Sequence, residues 1–369
     1  MEEKAISERC VVSSYNEWDE LEEVIVGSVV GAAIMGFEPA MAPYFKRNDP
    51  MKDFRGAPFQ AKDIDDAEEQ LNGLVDLLSS QKITVKRPDV QNFCYGVRTP
   101  CFSIKNENCS ACPRDTLLVV GNEIIEAPMA QRGRFFEYRA YRSLVKEYFL
   151  QGATWTVAPK ASMEDDLYVE DYSLEDRAFD ADSHASLTDR EPCFDAASFV
   201  RFGQDIWYQR DVVTNALGVE WLKRHLRDKY RFHEIKFSDV SNRPPHHIDA
   251  TFVPIKEGII LVNPDRPCID DSLEIFKKNG WELVPAEKGI LDQEYYSPMS
   301  KWISMNLLSI GNDRVIVEEK ETPMIKLLES LGLKVLTCPF DKVYKFGGGV
   351  HCCTTDIRRK GELKSYFSF

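Results

Sequence analysis

The chain has 369 residues, of which 43% are hydrophobic and 29% charged, and its formal net charge is -14. These proportions are ordinary for a globular protein. The negative charge argues against nucleic acid or an anionic membrane as the main partner, and it is compatible with a cationic substrate. No apolar run reaches about 18 residues, so no transmembrane helix is expected.

The N-terminus and the cysteines favour a cytoplasmic protein. The first residues, MEEKAISERC, are acidic and polar, without a signal-peptide core or an arginine-rich transit pattern. Ten cysteines are scattered along the chain, which predicts free thiols in a reducing compartment. Cys109 and Cys112 form a single CxxC, and without a second such pair no metal site is expected.

The predicted elements repeat one order, in which strand, tight turn and strand are followed by an amphipathic helix and a third strand. The first unit opens with EEVIVG at 22–27, and the C-terminal segment GGGVHCCTTDIRR is expected to supply its missing strand. The other hairpins read LLVVGNEIIEAP at 117–128, FVRFGQDIWYQ from Phe199, FVPIKEGIILVN from Phe252 and LLSIGNDRVIVEE from Leu307. Their turn residues tolerate the positive φ that tight hairpins need.

A helix followed by a strand is predicted five times. The helices lie near 63–81, 134–150, 215–227, 270–279 and 323–331, and the strands near 83–87, 154–158, 230–237, 281–285 and 333–339. Gly152, Gly280 and Gly332 occupy helix C-cap positions, and Pro323 a first-turn position. Radial repetition with ring closure is one way for such units to avoid exposed strand edges.

Two insertions interrupt the repeat, near 28–60 and 160–192, and the second is strongly acidic. Loops of this length are functional lids, disordered segments or solvated surface loops, and the sequence leaves these alternatives open.

Candidate site residues precede the first strand of several units: Asp115, Asp195, His247, Asp249, Ser300 and, in the closing segment, Cys352. If the units are arranged radially, these positions meet in one cavity. An extended backbone would place His247 and Asp249 on one face. A cysteine becomes a good nucleophile when a charged histidine or a helix N-terminus activates it. Paired carboxylates match the planar guanidinium group in shape and charge.

Each of these residues also has a purely structural interpretation. A buried cysteine, a hydrogen-bonded core histidine and aspartates in turns are common in proteins without any activity at those positions. The pattern alone therefore does not name a reaction.

Six longer motifs resemble the arginine amidinotransferases over nearly the whole chain: PRD with VVGNEIIEAPMA, EPCFDAASFVR, HIDATF, NPDRPC, SKWISMN and GGGVHC. That family includes glycine amidinotransferase, the inosamine-phosphate enzymes and the cyanotoxin amidinotransferases. The resemblance implies an α/β fold, a fivefold pseudosymmetric ββαβ propeller of the pentein type, formed by a single domain over 1–369. It also implies small-molecule substrates, no cofactor and, as in many family members, a homodimer.

The resemblance implies catalytic roles for three residues. Cys352 would be the nucleophile, His247 the general acid and base, and Asp195 the residue that orients His247 and contacts the guanidinium. Arginine would transfer its amidino group to Cys352 and release ornithine, and an amine would then take the group from the sulfur.

Four further residues would bind the substrate. Asp115 would hold the guanidinium, Asp249 would contact polar substrate groups, and Arg266 and Ser300 would hold the donor carboxylate.

Two departures from the creatine-pathway enzymes concern the acceptor. His246 stands where those enzymes have methionine beside the catalytic histidine, and Met299 replaces the first of two serines before KW. The expected acceptor is therefore a primary amine larger than glycine, as in the biosynthesis of guanidinium natural products of the saxitoxin type. Glycine as acceptor, hydrolysis as in guanidine deiminases, and non-catalytic arginine binding are the alternatives.

Overall fold

The computed structural model describes residues 10–176, 186–238, 246–290, 300 and 302–369. Within them, five three-stranded sheets share one arrangement, in which the central strand pairs antiparallel with one neighbour and parallel with the other. The strands are Glu20–Val26, Thr84–Lys86 and Thr354–Lys360 in the first sheet; Leu117–Val120, Glu123–Glu126 and Thr154–Val157 in the second; Phe199–Phe202, Asp205–Tyr208 and Arg231–Glu234 in the third; Phe252–Lys256, Ile259–Val262 and Glu282–Pro285 in the fourth; and Leu308–Gly311, Arg314–Glu318 and Lys334–Cys338 in the fifth. The mixed α/β class is confirmed.

A helix precedes the parallel strand of each sheet, because parallel neighbours need a crossover connection. These helices are Ala61–Ser80, Arg142–Leu150, Ala216–Leu226, Glu274–Lys278 and Thr322–Ser330. The first helix buries Ala67, Leu71, Leu74 and Leu78, which lie three or four residues apart and so share one face. The second begins later than predicted, because 132–134 and 137–141 form separate 3-10 turns.

The ends of the chain meet in the first sheet, as the sequence predicts. Glu20–Val26 pairs antiparallel with Thr354–Lys360, from Glu20 opposite Lys360 to Val26 opposite Thr354. This pairing carries the residues just before Thr354, including Cys352, to the end of the first sheet.

Short helical turns lead into the first strands of the other four sheets: Pro113–Thr116, Ala196–Ser198, Ile248–Ala250 and Ile303–Met305. The extended backbone expected at both residues is found at His247, which caps such a turn, but is wrong for Asp249, which lies within it. The turns let closely spaced residues point toward the same space without strand alternation.

The insertion near 28–60 is ordered by a short antiparallel pair, Ala33–Ile34 with Ala57–Pro58, and by the 3-10 helices Pro39–Tyr44 and Pro50–Asp53. A second short pair joins Val97–Arg98 to Ser103–Ile104. In the acidic insertion, Tyr168 bridges Leu187, while 177–185 lie outside the described residues. Among the described helices, none combines the length and apolar character needed to cross a membrane.

Candidate active site

Residues far apart in sequence line one cavity of about 200 Å³. Of the predicted site residues, Asp115, His247, Asp249, Ser300 and Cys352 reach its wall, and His246 lines it as well. Each lies in or shortly before the segment that leads into the first strand of a sheet or, for Cys352, into Thr354–Lys360, so the repeated position of these segments brings the side chains together.

Cys352 is buried, and its sulfur faces polar groups. Its Sγ lies 3.2 Å from Oδ2 of Asp249 and 3.1 Å from Nδ2 of Asn306. Burial and the nearby carboxylates of Asp249 and Asp115 raise the pKa of the Cys352 thiol well above its ordinary value. These surroundings favour the protonated thiol over the thiolate.

His247 is held between two carboxylates. Its Nε2 lies 3.2 Å from Oδ2 of Asp195, and its Nδ1 lies 3.5 Å from Oδ1 of Asp115. Burial alone would lower the pKa of His247, but the charges of Asp115 and Asp195 outweigh burial and raise it to about 10. The imidazole is therefore a cation and a proton donor at neutral pH.

Asp115 and Asp195 share a buried arginine, Arg134. Its Nη1 donates to Oδ2 of Asp115 at 2.8 Å and lies 3.6 Å from Oδ2 of Asp195, while Nη2 donates to Glu137 at 2.8 Å. Burial raises the pKa of Asp115. The Oδ1 atoms of Asp115 and Asp195 are buried and accept no hydrogen bond from the described residues. Asp115 lines the cavity and Asp195 is not among its described lining residues, so Oδ1 of Asp115 is the candidate acceptor for a ligand there.

Asp249 is the ionised carboxylate beside the sulfur. Burial opposes its ionisation, but the hydrogen bond and the charge of His351, whose Nδ1 lies 2.8 Å from Oδ2, lower the pKa of Asp249 to about 2. On the other side of His351, Nε2 lies 3.7 Å from the carboxylate of Glu17. His351 thus links Asp249 to Glu17, which is ion-paired with the buried Arg114 and Arg201.

The remaining predicted residues are placed differently. Oγ of Ser300 accepts the backbone N–H of Trp302 at 3.2 Å. Arg266 is buried but is not among the described residues that line the cavity, and its Nη1 donates to Oε1 of Gln209 at 3.1 Å. Met299 lies outside the described residues. The roles predicted for Ser300 and Arg266 stay predictions.

The insertion near 28–60 supplies an apolar wall of the cavity, made of Ile34, Met35, Phe37, Met41, Phe45, Met51, Phe54 and Phe59. The ring of His246 contacts that of Tyr44 in the same insertion, with centroids 4.6 Å apart and planes tilted by 41°. Of the alternatives for this insertion, the structure favours one in which it covers the site. An apolar wall around a few polar groups is typical of small-molecule sites.

Sequence reasoning missed Arg134 and Asn306, which line the cavity, and His351, which contacts Asp249. It also missed four further polar residues of the cavity wall: Glu38, Asn108, Gln131 and Lys345. Asn306 and His351 lie within the quoted motifs SKWISMN and GGGVHC, and Arg134 follows VVGNEIIEAPMA by four residues. Their positions could have suggested them, but no periodicity indicates which motif residues point into the cavity.

Asp115, Asp195 and His247 also offer three ligand atoms within 4.8 Å of one another, which is compatible with a metal ion. The Arg134 guanidinium already lies against both carboxylates. A divalent cation there would meet this fixed positive charge, so the donor set fits a metal ion poorly.

Comparison with solved structures first places the fold. A dimethylarginine dimethylaminohydrolase superposes with a TM-score of 0.57 over 90% of this chain and 98% of its own, at 11% identity. At that identity the likeness shows the fold alone, which is of the pentein type.

Closer relatives define the family. The mitochondrial glycine amidinotransferase of Danio rerio is 46% identical over 368 residues, 98% of this chain and 86% of the relative. The L-arginine:L-lysine amidinotransferase of Pseudomonas savastanoi pv. phaseolicola is 42% identical over 358 residues, 96% of each chain. The amidinotransferase SxtG of the saxitoxin pathway from Microseira wollei has a TM-score of 0.87 at 42% identity, covering 97% of this chain and 100% of its own. No family model matches. The chain belongs to the amidinotransferases, which are transferases, so the resemblance is confirmed.

Proposed function

We propose that this amidinotransferase takes the amidino group of L-arginine onto Cys352 and passes it to a primary amine larger than glycine. The observation that carries the proposal is that Cys352, His247 and Asp115 line one cavity. Oδ1 of Asp115, which accepts no hydrogen bond from the described residues, offers an acceptor to the guanidinium N–H groups of arginine. Arg266 and Ser300 are proposed to hold the donor carboxylate, and Asp249 to contact polar substrate groups.

In the first half-reaction, the entering guanidinium cation favours loss of the Cys352 proton to solvent, since it offsets the nearby carboxylates. The thiolate attacks the guanidinium carbon and forms a C–S bond. His247, protonated at neutral pH, then gives its proton to the nitrogen on the ornithine side as the C–N bond breaks. Ornithine leaves, and an amidino cation stays on the sulfur.

In the second half-reaction, the acceptor amine loses a proton to His247, now neutral, and attacks the same carbon. A new C–N bond forms, the C–S bond breaks, and its electron pair returns to the sulfur. His247 therefore alternates between acid and base, and Asp195 is proposed to keep its Nε2 oriented.

The proposed acceptor, an amine larger than glycine, is supported by a residue of the cavity wall and by the relatives. His246 lines the cavity, and its ring contacts Tyr44 of the insertion. Two relatives are almost as similar to this chain as the 46% identical glycine amidinotransferase: an L-arginine:L-lysine amidinotransferase and an amidinotransferase of the saxitoxin pathway, both at 42% identity. We therefore propose a place in guanidinium natural-product biosynthesis. The role expected for Met299 in acceptor choice stays a prediction.

The acceptor is tested by ornithine release from labelled arginine with glycine, lysine and longer diamines. Fastest release with an amine larger than glycine is the expected result. Fastest release with glycine would make the chain a glycine amidinotransferase, and citrulline without any amine would make it a hydrolase. A His246→Met variant is expected to shift the preference toward glycine.

The covalent step is tested by mass spectrometry of the intact protein after arginine treatment. The mass of one amidino group should appear on Cys352 and should be absent from a Cys352→Ala variant. Cys101→Ala is the matched control, because it removes an exposed thiol that does not line the cavity. Full transfer by Cys352→Ala would contradict the mechanism.

The overall arrangement is also part of the proposal. We propose that the five sheets stand around the cavity as a fivefold propeller within one domain. Hydrogen bonds between neighbouring units support this arrangement: Arg201 Nη1 donates to the Val119 carbonyl at 2.9 Å, and Ser309 Oγ donates to the Ile255 carbonyl at 2.7 Å. A cytoplasmic homodimer stays a prediction.

A further inference from the structure

The side-chain amide of Asn306 contacts both Cys352 and Asp249. Its Nδ2 lies 3.1 Å from Cys352 Sγ and 2.8 Å from Asp249 Oδ2, and its Oδ1 accepts the backbone N–H of Cys352 at 2.9 Å. An amide nitrogen carries two donors, and the sulfur and the carboxylate account for both. The three contacts fix the amide with one N–H directed at the sulfur.

The backbone that carries Cys352 is packed onto Asn306. The carbonyl of Asn306 accepts the N–H of His351 at 3.2 Å. A Cβ on Gly349 would come within 2.8 Å of both Cβ and Oδ1 of Asn306, so that position needs glycine. Asn306 is itself 4% exposed. The sulfur and the amide are therefore held against each other rather than meeting by chance.

The other groups that face the sulfur disfavour its ionised form. They are the carboxylates of Asp249 and Asp115 and the thiol of Cys112. His247 lines the same cavity with its positive charge, but no hydrogen bond joins it to the sulfur among the described residues. Among the residues that the structure describes, Asn306 is the hydrogen-bond donor to Cys352 Sγ. Such a bond is stronger when the acceptor is an anion.

We propose that Asn306 is a catalytic residue that stabilises the Cys352 thiolate through an Nδ2–H to Sγ hydrogen bond. The bond acts before the sulfur attacks arginine, and again when the C–S bond breaks and the electron pair returns to the sulfur. This inference rests on the proposed function, since it takes Cys352 as the sulfur that carries the amidino group.

The test measures the rate at which iodoacetamide alkylates Cys352 as a function of pH, by peptide mass spectrometry and without substrate. Asn306→Asp keeps the size of the side chain and an acceptor for the Cys352 N–H but loses both donors, and Asn306→Leu removes the donors without adding charge. Both are expected to slow alkylation at neutral pH by about tenfold or more, because a hydrogen bond to a charged group is lost. Ser304→Ala, in the same short turn but bonded to Glu287, is the control and should keep the wild-type rate.

A merely structural Asn306 would leave the pH profile of alkylation in place while lowering thermal stability. An unchanged profile in the folded variants, with an amidino adduct still forming on wild-type Cys352, would overturn the inference and leave the proposed function intact. Absence of that adduct in the wild type would overturn both. If the leucine variant does not fold, Asn306→Ala, which also removes both donors without adding a charge, decides.

Discussion

Removing the carboxylate of Asp195 should change the charge state of His247. Nε2 of His247 lies 3.2 Å from Asp195 Oδ2, and the pKa of His247 is raised from 6.5 to about 10 against the effect of burial. An opposite charge at this distance raises a histidine pKa by about 1–3 pH units. In an Asp195→Asn variant, Asp115 still supports the imidazolium, so we expect the pKa to fall by that amount but to stay above 6.5.

The same change has a consequence for stability. Because the folded pKa of His247 lies above its unfolded value, its contribution is fully present below pH 6.5 and is lost as the pH rises toward about 10. The difference corresponds to about 5 kcal/mol at about 1.4 kcal/mol per pH unit. At pH 6, Asp195→Asn should remove about 1–4 kcal/mol of this stabilisation. The stabilisation that remains should be lost at a lower pH than in the wild type, because the folded pKa of His247 is lower.

The assay is NMR titration of labelled histidines, with His247→Asn to assign the signal, together with urea unfolding at pH 6 and pH 9. Asp205→Asn is the matched control, because Asp205 contacts His233 at 2.7 Å and does not line the cavity. A His247 titration that is the same in wild type and in Asp195→Asn would refute the electrostatic reasoning.

Three further predictions concern contacts in and around the site. Gly348→Ala should abolish ornithine release, because a Cβ there would lie 2.5 Å from Cβ of Cys352. At Gly347 a Cβ has space, but φ is +103°, which strains any other residue. Gly347→Ala should therefore lower the free energy of unfolding by about 1–2 kcal/mol and retain most activity. Arg134→Met should lower the free energy of unfolding by about 3–5 kcal/mol in urea titrations, since it leaves buried carboxylates without their partner; a smaller loss than in an exposed-arginine control would contradict this. Asp249→Asn should speed alkylation of Cys352 at pH 7, because the negative charge beside the thiol is removed, and it should lower the rate of ornithine release. Slower alkylation would show that Asp249 does not raise the thiol pKa.

Periodicity alone predicted much of the fold. The helix Ala61–Ser80 and the strand Lys334–Cys338 lie within two residues of their predicted ends, since apolar spacing and glycine caps are local signals. The helix predicted from 134 begins at Arg142, because the preceding residues turn to place Arg134 against Asp115. The turn is determined by the contact between Arg134 and Asp115, and the spacing of apolar residues carries no information about that contact.

For the site, the sequence by itself determined which reactive residue types occur and in which motifs, from Asp115 to Cys352. Only the tertiary structure decided that Asn306 and His351 hold the sulfur and its carboxylate, and that the insertion near 28–60 walls the cavity. The physical reason is that hydrogen bonds and charges act over a few ångströms in space. Asn306 and Cys352 are 46 residues apart in the chain, yet their side chains are 3.1 Å apart in the fold.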